Sequence, residues 1–408
     1  MPRLAKFTPA MKEIFKEGSR FRPFLLSIAL MSIGYGLYKG VIDNYLAEVV
    51  GMGEFDRGVS EFFRELPGLA LIFILAIFYK FSAEKMYKMG LIVMLIGMVM
   101  QSVIPPHKVL VILAMFLFSY GEHIQLGMKS TLSLEYSRPG AGGRALGYQT
   151  SMQQIGNLVG FVAVIALFSI TAMSGAAFFQ SMFVVAAVFI AVATLVSFRL
   201  TSESKTDENK RRFYFRKKFT KYYMLEMFYG ARKQVFFTFG PYVLILFYGA
   251  DARLISILFA VSAIACFVFS PIVGKIIDRL GYKPVMIGDT LILVIVCFFY
   301  GFAHHLFDMH TAMIVCCVNY VLDSVISLAA MASSVYVQDI SDDKNEMRAT
   351  ISTGLSVNHL VTVLIALFGG WIWHALGIET LFIVSAVLGL CNSAYAATIK
   401  VVKRGKSL

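Results

Sequence analysis

The sequence predicts an all-α integral membrane protein with twelve transmembrane helices in two pseudo-symmetric six-helix bundles. Three observations predict it. Hydrophobic residues make up 58% of the 408 residues and charged residues only 15%, where soluble domains carry about 25% charged. Mean hydropathy is +0.72. Twelve apolar runs, each near the roughly 20 residues that cross a bilayer, fall at about 24–46, 60–79, 86–104, 109–132, 145–170, 176–198, 224–247, 254–275, 284–303, 311–335, 349–373 and 381–399. Finally, short motifs of the first six runs recur in the last six.

The chain begins with a basic segment, 1–22, in which Leu4, Phe7, Met11 and Phe15 keep a helical spacing among Arg3, Lys6, Lys12, Lys16, Arg20 and Arg22. This predicts an amphipathic helix lying on a membrane face; it does not have the pattern of a cleavable signal peptide. The first bundle is expected at 23–198 and the second at 224–399, with a basic linker at 199–223 and a short tail at 400–408. The linker carries Lys210, Arg211, Arg212, Arg216, Lys217 and Lys218 among aromatics. Beside a span, such a stretch reads as a topology signal and a contact for anionic lipids rather than for nucleic acid.

Orientation follows from the 37 Lys and Arg residues. Arg57, Lys108 and Arg253 alone fall opposite the N-terminus, and Lys39, Arg64, Lys129, Arg232 and Lys233 fall within or near runs; all others share the side of the N-terminus. The positive-inside rule then predicts a multi-pass protein of the inner (cytoplasmic) membrane with both termini cytoplasmic. The net charge of +12 is thus a membrane signal. Cys266, Cys297, Cys316, Cys317 and Cys391 lie in apolar runs without metal-ligand spacing and read as small hydrophobes.

Between runs eight and nine lies Gly274-Lys-Ile-Ile-Asp278-Arg279-Leu-Gly281-Tyr-Lys283. An Asp–Arg pair at a span end can hold neighbouring helix ends by charge-assisted hydrogen bonds. Gly274 is expected to allow close helix approach and Gly281 a tight turn. At the same spacing as Tyr35-Gly36-Leu-Tyr-Lys39-Gly-Val41 is from Tyr229-Gly230-Ala-Arg-Lys233-Gln-Val235, Glu84 and Lys85 precede Asp278 and Arg279, so the loop Lys80 to Lys88 is a degenerate first copy without the glycines. The full motif, its place after the eighth run and the two repeats resemble the major facilitator superfamily of secondary transporters. The resemblance implies alternating access around a cavity near the bilayer midplane, and conformational gating by Gly274, Asp278, Arg279, Gly281 and Lys283, with Glu84 and Lys85 in the first copy.

An ionisable group inside the membrane costs several kcal/mol and needs a partner or a watery cavity. Such groups gather in runs one, four, seven and ten, the helices that line the cavity in the superfamily. Tyr35, Lys39, Glu122, Arg232, Lys233, Asn319 and Asp323 are the expected cavity residues, with Glu122 and Asp323 as proton carriers. Arg232 and Lys233 point about 100° apart, so one should face the cavity and the other a neighbouring helix. Asp43 is expected in a structural pair, Lys129 in such a pair or snorkelling to the inner surface, and His123 as a hydrogen-bonded interior histidine. Glu61, Arg64 and Glu65 suggest either an outer gate or a buried structural cluster, with Pro67-Gly68 able to bend the helix. Gly156 and Gly160 read as helix-packing positions. Gln149, Gln153 and Asn157 read as interhelical hydrogen-bonders. His304, His305, Asp308 and His310 could ligate a metal, but a solvated loop is the expected reading.

The sequence therefore points to a proton-coupled secondary transporter of an anionic or polar small solute, acting as a monomer without a cofactor. Proton-driven efflux of lipophilic compounds is the second reading; a non-transporting receptor or a polytopic enzyme is the third. No nucleotide-binding loop or catalytic constellation supports the last.

Overall fold

The computed structural model describes residues 14–16, 20–78, 81–138, 142–170, 175–200, 215–342 and 344–401. The expectations for 1–13, for the linker at 201–214, for Lys80 and for the tail at 402–408 lie outside the described residues, as does that for the side chain of Asp278.

The described residues hold helices and no strand, only an isolated bridge between Phe15 and Ser137. The helices are α1 (Phe21–Asn44, extended by a π-helical turn, Tyr45–Val49), α2 (Glu54–Ile77), α3 (Ala83–Val103), α4 (Lys108–Tyr136), α5 (Gly142–Ile170), α6 (Ala176–Ser197), α7 (Thr220–Leu246), α8 (Ala252–Leu280), α9 (Tyr282–Leu306) and α10 (Met309–Ile340, with a 3-10 turn at Ser327–Ala330). The final stretch, Lys344–Ala397, bends at Gly377, where φ is +89°; its arms are α11 and α12. Nine helical stretches among the described residues are long and apolar enough to cross a membrane, and one of them contains the Gly377 bend. The two long helices left over, α2 and α7, carry ionic side chains in mid-helix, which lowers their hydropathy but not their length. Twelve long helices result among the described residues, with Ser82, Asp251 and Asp308 capping α3, α8 and α10 through their side chains.

Contacts divide the chain into two units, residues 1–45 with 70–209 and residues 46–69 with 210–408. In the first, α1 packs on α5 and α6, α3 on α4 and α6. In the second, α7 packs on the α11–α12 stretch, and α9 on that stretch and on α10. The same pairing recurs because each unit buries its helices in the same order. Gly156 and Gly160 bring α5 against α1: a Cβ at Gly160 would lie 2.6 Å from the Ile33 carbonyl oxygen. Each unit also ties its sixth helix to its charged turn. Lys88 donates to the Leu200 carbonyl (2.6 Å), and Lys283 to the Ile399 carbonyl (3.0 Å).

Three expectations change. Gly281 makes the expected turn with φ +85°, but a Cβ at Gly274 would meet open space, so no close approach occurs there. Phe15 does not lie on a membrane face: it is 1% exposed and stacked on Phe21. Its neighbours pair with the end of α4, Lys16 N–H on the Tyr136 carbonyl and Arg138 N–H on the Ile14 carbonyl; backbone left unpaired there would have forfeited those bonds. Lys129 does not snorkel. It is 5% exposed and donates to Gln153 Oε1 at 2.9 Å, because α5 presents an acceptor within reach.

Segment 46–69 joins the second unit through glycine. A Cβ on Gly58 would lie 2.6 Å from the Ala366 carbonyl oxygen and 2.9 Å from Gly370 Cα. Gly58→Val should therefore lose about 1–3 kcal/mol of stability by overpacking, read by reversible denaturant unfolding in mixed micelles. Gly274→Ala should hold or raise stability in the same measurement, since a helical alanine is favoured over glycine. Equal losses in both would remove the close contact from the account.

Candidate functional site

The second unit carries two charge networks inside the apolar layer. The first is centred on Arg232 of α7, which is 1% exposed. Its Nη2 donates to Asp289 Oδ2 of α9 at 2.7 Å, and its guanidinium lies over the Tyr229 ring at 4.9 Å. Tyr229 in turn donates to the Ser327 carbonyl at 2.7 Å, at the 3-10 turn of α10. That turn interrupts the helical stripe of Asn319, Asp323 and Ser327. Asn319 donates to the Val315 carbonyl and is buried. Asp323 is also buried, and among the described residues its carboxylate accepts no hydrogen bond, although Arg232 and Lys233 act on it electrostatically. Lys233 acts likewise on Glu226, which accepts from Ser333 Oγ at 2.7 Å. Tyr229, Asp289, Ser333 and Asn392 share the wall of a small pocket.

The second network joins the start of α2 to α7 and α11. Arg57 pairs with Glu61 at 2.8 Å, and Arg64 grips both oxygens of Glu61 and also Glu65. Glu61 further accepts from Gln234 (3.2 Å), while Glu65 meets His359 (3.0 Å) and the Thr362 hydroxyl (3.2 Å). The guanidinium of Arg57 faces the Tyr242 ring and that of Arg64 the Phe237 ring. Two cations balance two carboxylates, the condition under which buried charges persist. The network is a buried cluster, one of the two forms expected for Glu61, Arg64 and Glu65.

In the first unit, Lys39 pairs with Asp43 at 3.1 Å along α1, and Tyr35 stacks on Phe118. His123 is a hydrogen-bonded interior residue, its Nδ1 2.8 Å from the Ser119 carbonyl. Glu122 is half-buried and acts electrostatically on Lys129. Of the amides on α5, Gln153 bonds between helices, whereas Asn157 donates to Gln154 of its own helix. Among the gating residues, Arg279 and Lys85 are exposed and Glu84 is buried. The adjacent bases of α7 separate as helical geometry requires: Arg232 turns to α9 and Lys233 is exposed.

Sequence reasoning missed Asp289, the direct partner of Arg232, and Arg57 and His359 in the second network. The signal for Asp289 was available, since any acid inside an apolar run needs a reason. Arg57 precedes the second run and looked like an outer-loop cation.

Paired six-helix repeats with charges in mid-helix are an arrangement that secondary transporters share. Residues 222–407 match the family model of the Major Facilitator Superfamily. No curated protein matches the sequence. Among solved structures, a mutant of the nucleoside transporter NupG is similar with a TM-score of 0.74 at 15% identity, over 93% of this chain and 99% of that one. A bacterial homologue of the human lysosomal transporter Spinster gives 0.69 at 14% identity, over 92% and 95%. A D-xylose–proton symporter gives 0.72 at 12% identity, over 95% and 99%. The second half of the chain is thus similar in sequence to the major facilitator superfamily, and nearly the whole length shares its fold with solved transporters.

Arg232→Met should cost roughly 3–5 kcal/mol by leaving Asp289 buried and unpaired. Arg232→Met with Asp289→Leu should recover most of that loss, as read by unfolding in mixed micelles. A double variant no more stable than the single one would show that the pair does not carry the packing of α7 on α9.

Proposed function

We propose that the protein is a secondary active transporter that moves a polar solute by alternating access, coupled to protons through Asp323. The observation that carries the reading is Asp323 itself. It is a buried acid in α10, without a hydrogen-bond partner among the described residues, within the electrostatic reach of Arg232 and Lys233. An acid of that kind inside a membrane is the group that takes up and releases protons in pumps and transporters. Its neighbours are cations rather than acids, so protonating Asp323 changes how strongly Lys233 is held. Lys233 is then the cation that meets a negative or acceptor-rich solute. Similar structures include a nucleoside transporter and a sugar–proton symporter, which supports a polar cargo. Glu122 is the corresponding acid of the first unit. Asp278, Arg279, Glu84 and Lys85 act in the conformational switch, at the side of the linker. That side faces the cytoplasm, with both termini there, in an inner membrane whose anionic lipids meet the basic segments; the protein acts as a monomer.

The test is uptake into proteoliposomes across an imposed pH step, with nucleosides, neutral sugars and organic anions as solutes. Wild type should accumulate at least one of these classes in response to the step. Asp323→Asn should keep solute exchange and lose the response; full pH-driven accumulation in Asp323→Asn overturns the coupling role. Lys233→Ala should weaken binding of an anionic solute by roughly 2–5 kcal/mol and leave neutral solutes nearly unchanged. Transport of lipophilic compounds alone would move the efflux reading ahead.

A further inference from the structure

At the end of α9, far along the helix from the Gly281 turn, two adjacent histidines meet a carboxylate from another helix. His304 Nε2 is 3.2 Å and His305 Nε2 2.9 Å from the same oxygen, Glu379 Oε1. Glu379 lies in the first turn of α12, directly after the Gly377 bend. The bend is what aims it: φ at Gly377 is +89°, and a Cβ there would lie 2.8 Å from Glu379 Oε2. The three side chains offer ligand atoms that all lie within 4.8 Å of one another. The sequence alone gave the histidines but not Glu379, which is more than seventy positions away.

We propose that His304, His305 and Glu379 form a binding site for one divalent transition-metal ion, Zn²⁺ by its ligand set. Two imidazole nitrogens and one carboxylate oxygen are the donors that Zn²⁺ accepts, with water in the fourth position. With bonds of about 2.0–2.1 Å, neighbouring ligand atoms of a tetrahedral site stand about 3.3–3.4 Å apart. Both nitrogen–oxygen separations are within about half an ångström of that edge, and the two nitrogens lie within 4.8 Å of each other. The alternative, a purely protonic clasp, is weaker on electrostatic grounds. The two imidazole rings have their centroids 3.9 Å apart, so two imidazolium ions would repel each other over a single carboxylate. Neutral imidazole is the ligating form. The site also has an entry path: the His305 side chain is 57% exposed and that of Glu379 29%, while His304 is 13% exposed and held against the Phe247 ring. A rigid inner ligand with two accessible ones is a chelate that the metal can close from solution. Hard cations such as Mg²⁺ and Ca²⁺ prefer oxygen-only ligand sets and should not compete. The ion would tie the end of α9 to the start of α12, two helices already packed in the second unit, and so stiffen that end.

The experiment uses full-length, tag-free protein in detergent, stripped of metal with a chelator and titrated with Zn²⁺ against a chromophoric competitor. Wild type should bind one Zn²⁺ per chain. Glu379→Gln and the double variant His304→Asn/His305→Asn should bind it at least roughly tenfold more weakly. Zn²⁺ should raise the unfolding temperature of wild type and not that of the variants, while a tenfold excess of Mg²⁺ has no effect on either. Cobalt provides a reading on wild type alone: Co²⁺ should give the intense visible bands of a tetrahedral nitrogen and oxygen site, and Zn²⁺ should bleach them. Zn²⁺ binding by the variants equal to that of wild type, or the absence of both stoichiometric binding and Co²⁺ bands in wild type, overturns the proposal.

Discussion

A charge taken into the hydrocarbon layer is costly unless an opposite charge matches it, and most of the buried ions of the second unit are arranged to meet that requirement. Desolvating a single ion costs several kcal/mol even after relaxation. Arg232 and Asp289 satisfy the rule as a pair across α7 and α9. Arg57, Glu61, Arg64 and Glu65 satisfy it as a set of four. Because the ions of that set lie on successive turns of α2 and find polar partners on α7 and α11, they set the rotation of α2 about its own axis. The Gly58–Gly370 contact then sets its distance. Rotation and distance together explain why residues 46–69 are counted with the second unit although they follow the first span in the chain.

Helix existence was legible because it depends on length and hydropathy, which each run carries by itself. The Gly281 turn and the packing role of Gly156 and Gly160 were legible for a similar reason: a glycine in a helical or turn context has few uses. What failed was side-chain destination. The sequence leaves Lys129 between a structural pair and the inner surface, and Gln153 on α5 decides it by holding the ammonium inside. Phe15 kept a helical spacing with residues before it, yet the exposed backbone at the end of α4 captured its neighbours in an extended strip. Gly274 sits in a motif where close approach is expected, and open space surrounds it. In each case a neighbouring helix decided the outcome, and no local pattern encodes which helix the neighbour is.

The candidate site was legible by the rule that intramembrane charges need reasons, and incomplete where the rule was applied to four runs only. Arg232, Lys233, Asn319 and Asp323 came from that rule. Asp289 was passed over because run nine does not correspond to a cavity helix in the superfamily, although it carries the acid that Arg232 requires. His359 lies alone in an apolar run and its partner is Glu65, nearly three hundred positions away, which no local pattern shows.

The two repeats differ one turn beyond their shared lysine, and the surroundings of the two lysines differ with it. Lys39 and Lys233 occupy the same place in the Tyr-Gly-x-x-Lys-x-Val motif. One turn further on, α1 has Asp43 whereas α7 has Phe237. A base and an acid at i, i+4 share one helix face, so Lys39 is drawn into a pair with a carboxylate that is 1% exposed. Lys233 has no acid at that step, and Phe237 is instead occupied by the guanidinium of Arg64. The adjacent Arg232 is already committed to Asp289 on α9. Of the repeat-related cations, the lysine of the second half is therefore the exposed one, with Glu226 and Asp323 as the acids in its electrostatic reach. An acid one turn on in α1 and a phenylalanine at the same step in α7 thus accompany a paired lysine in the first half and an exposed one in the second.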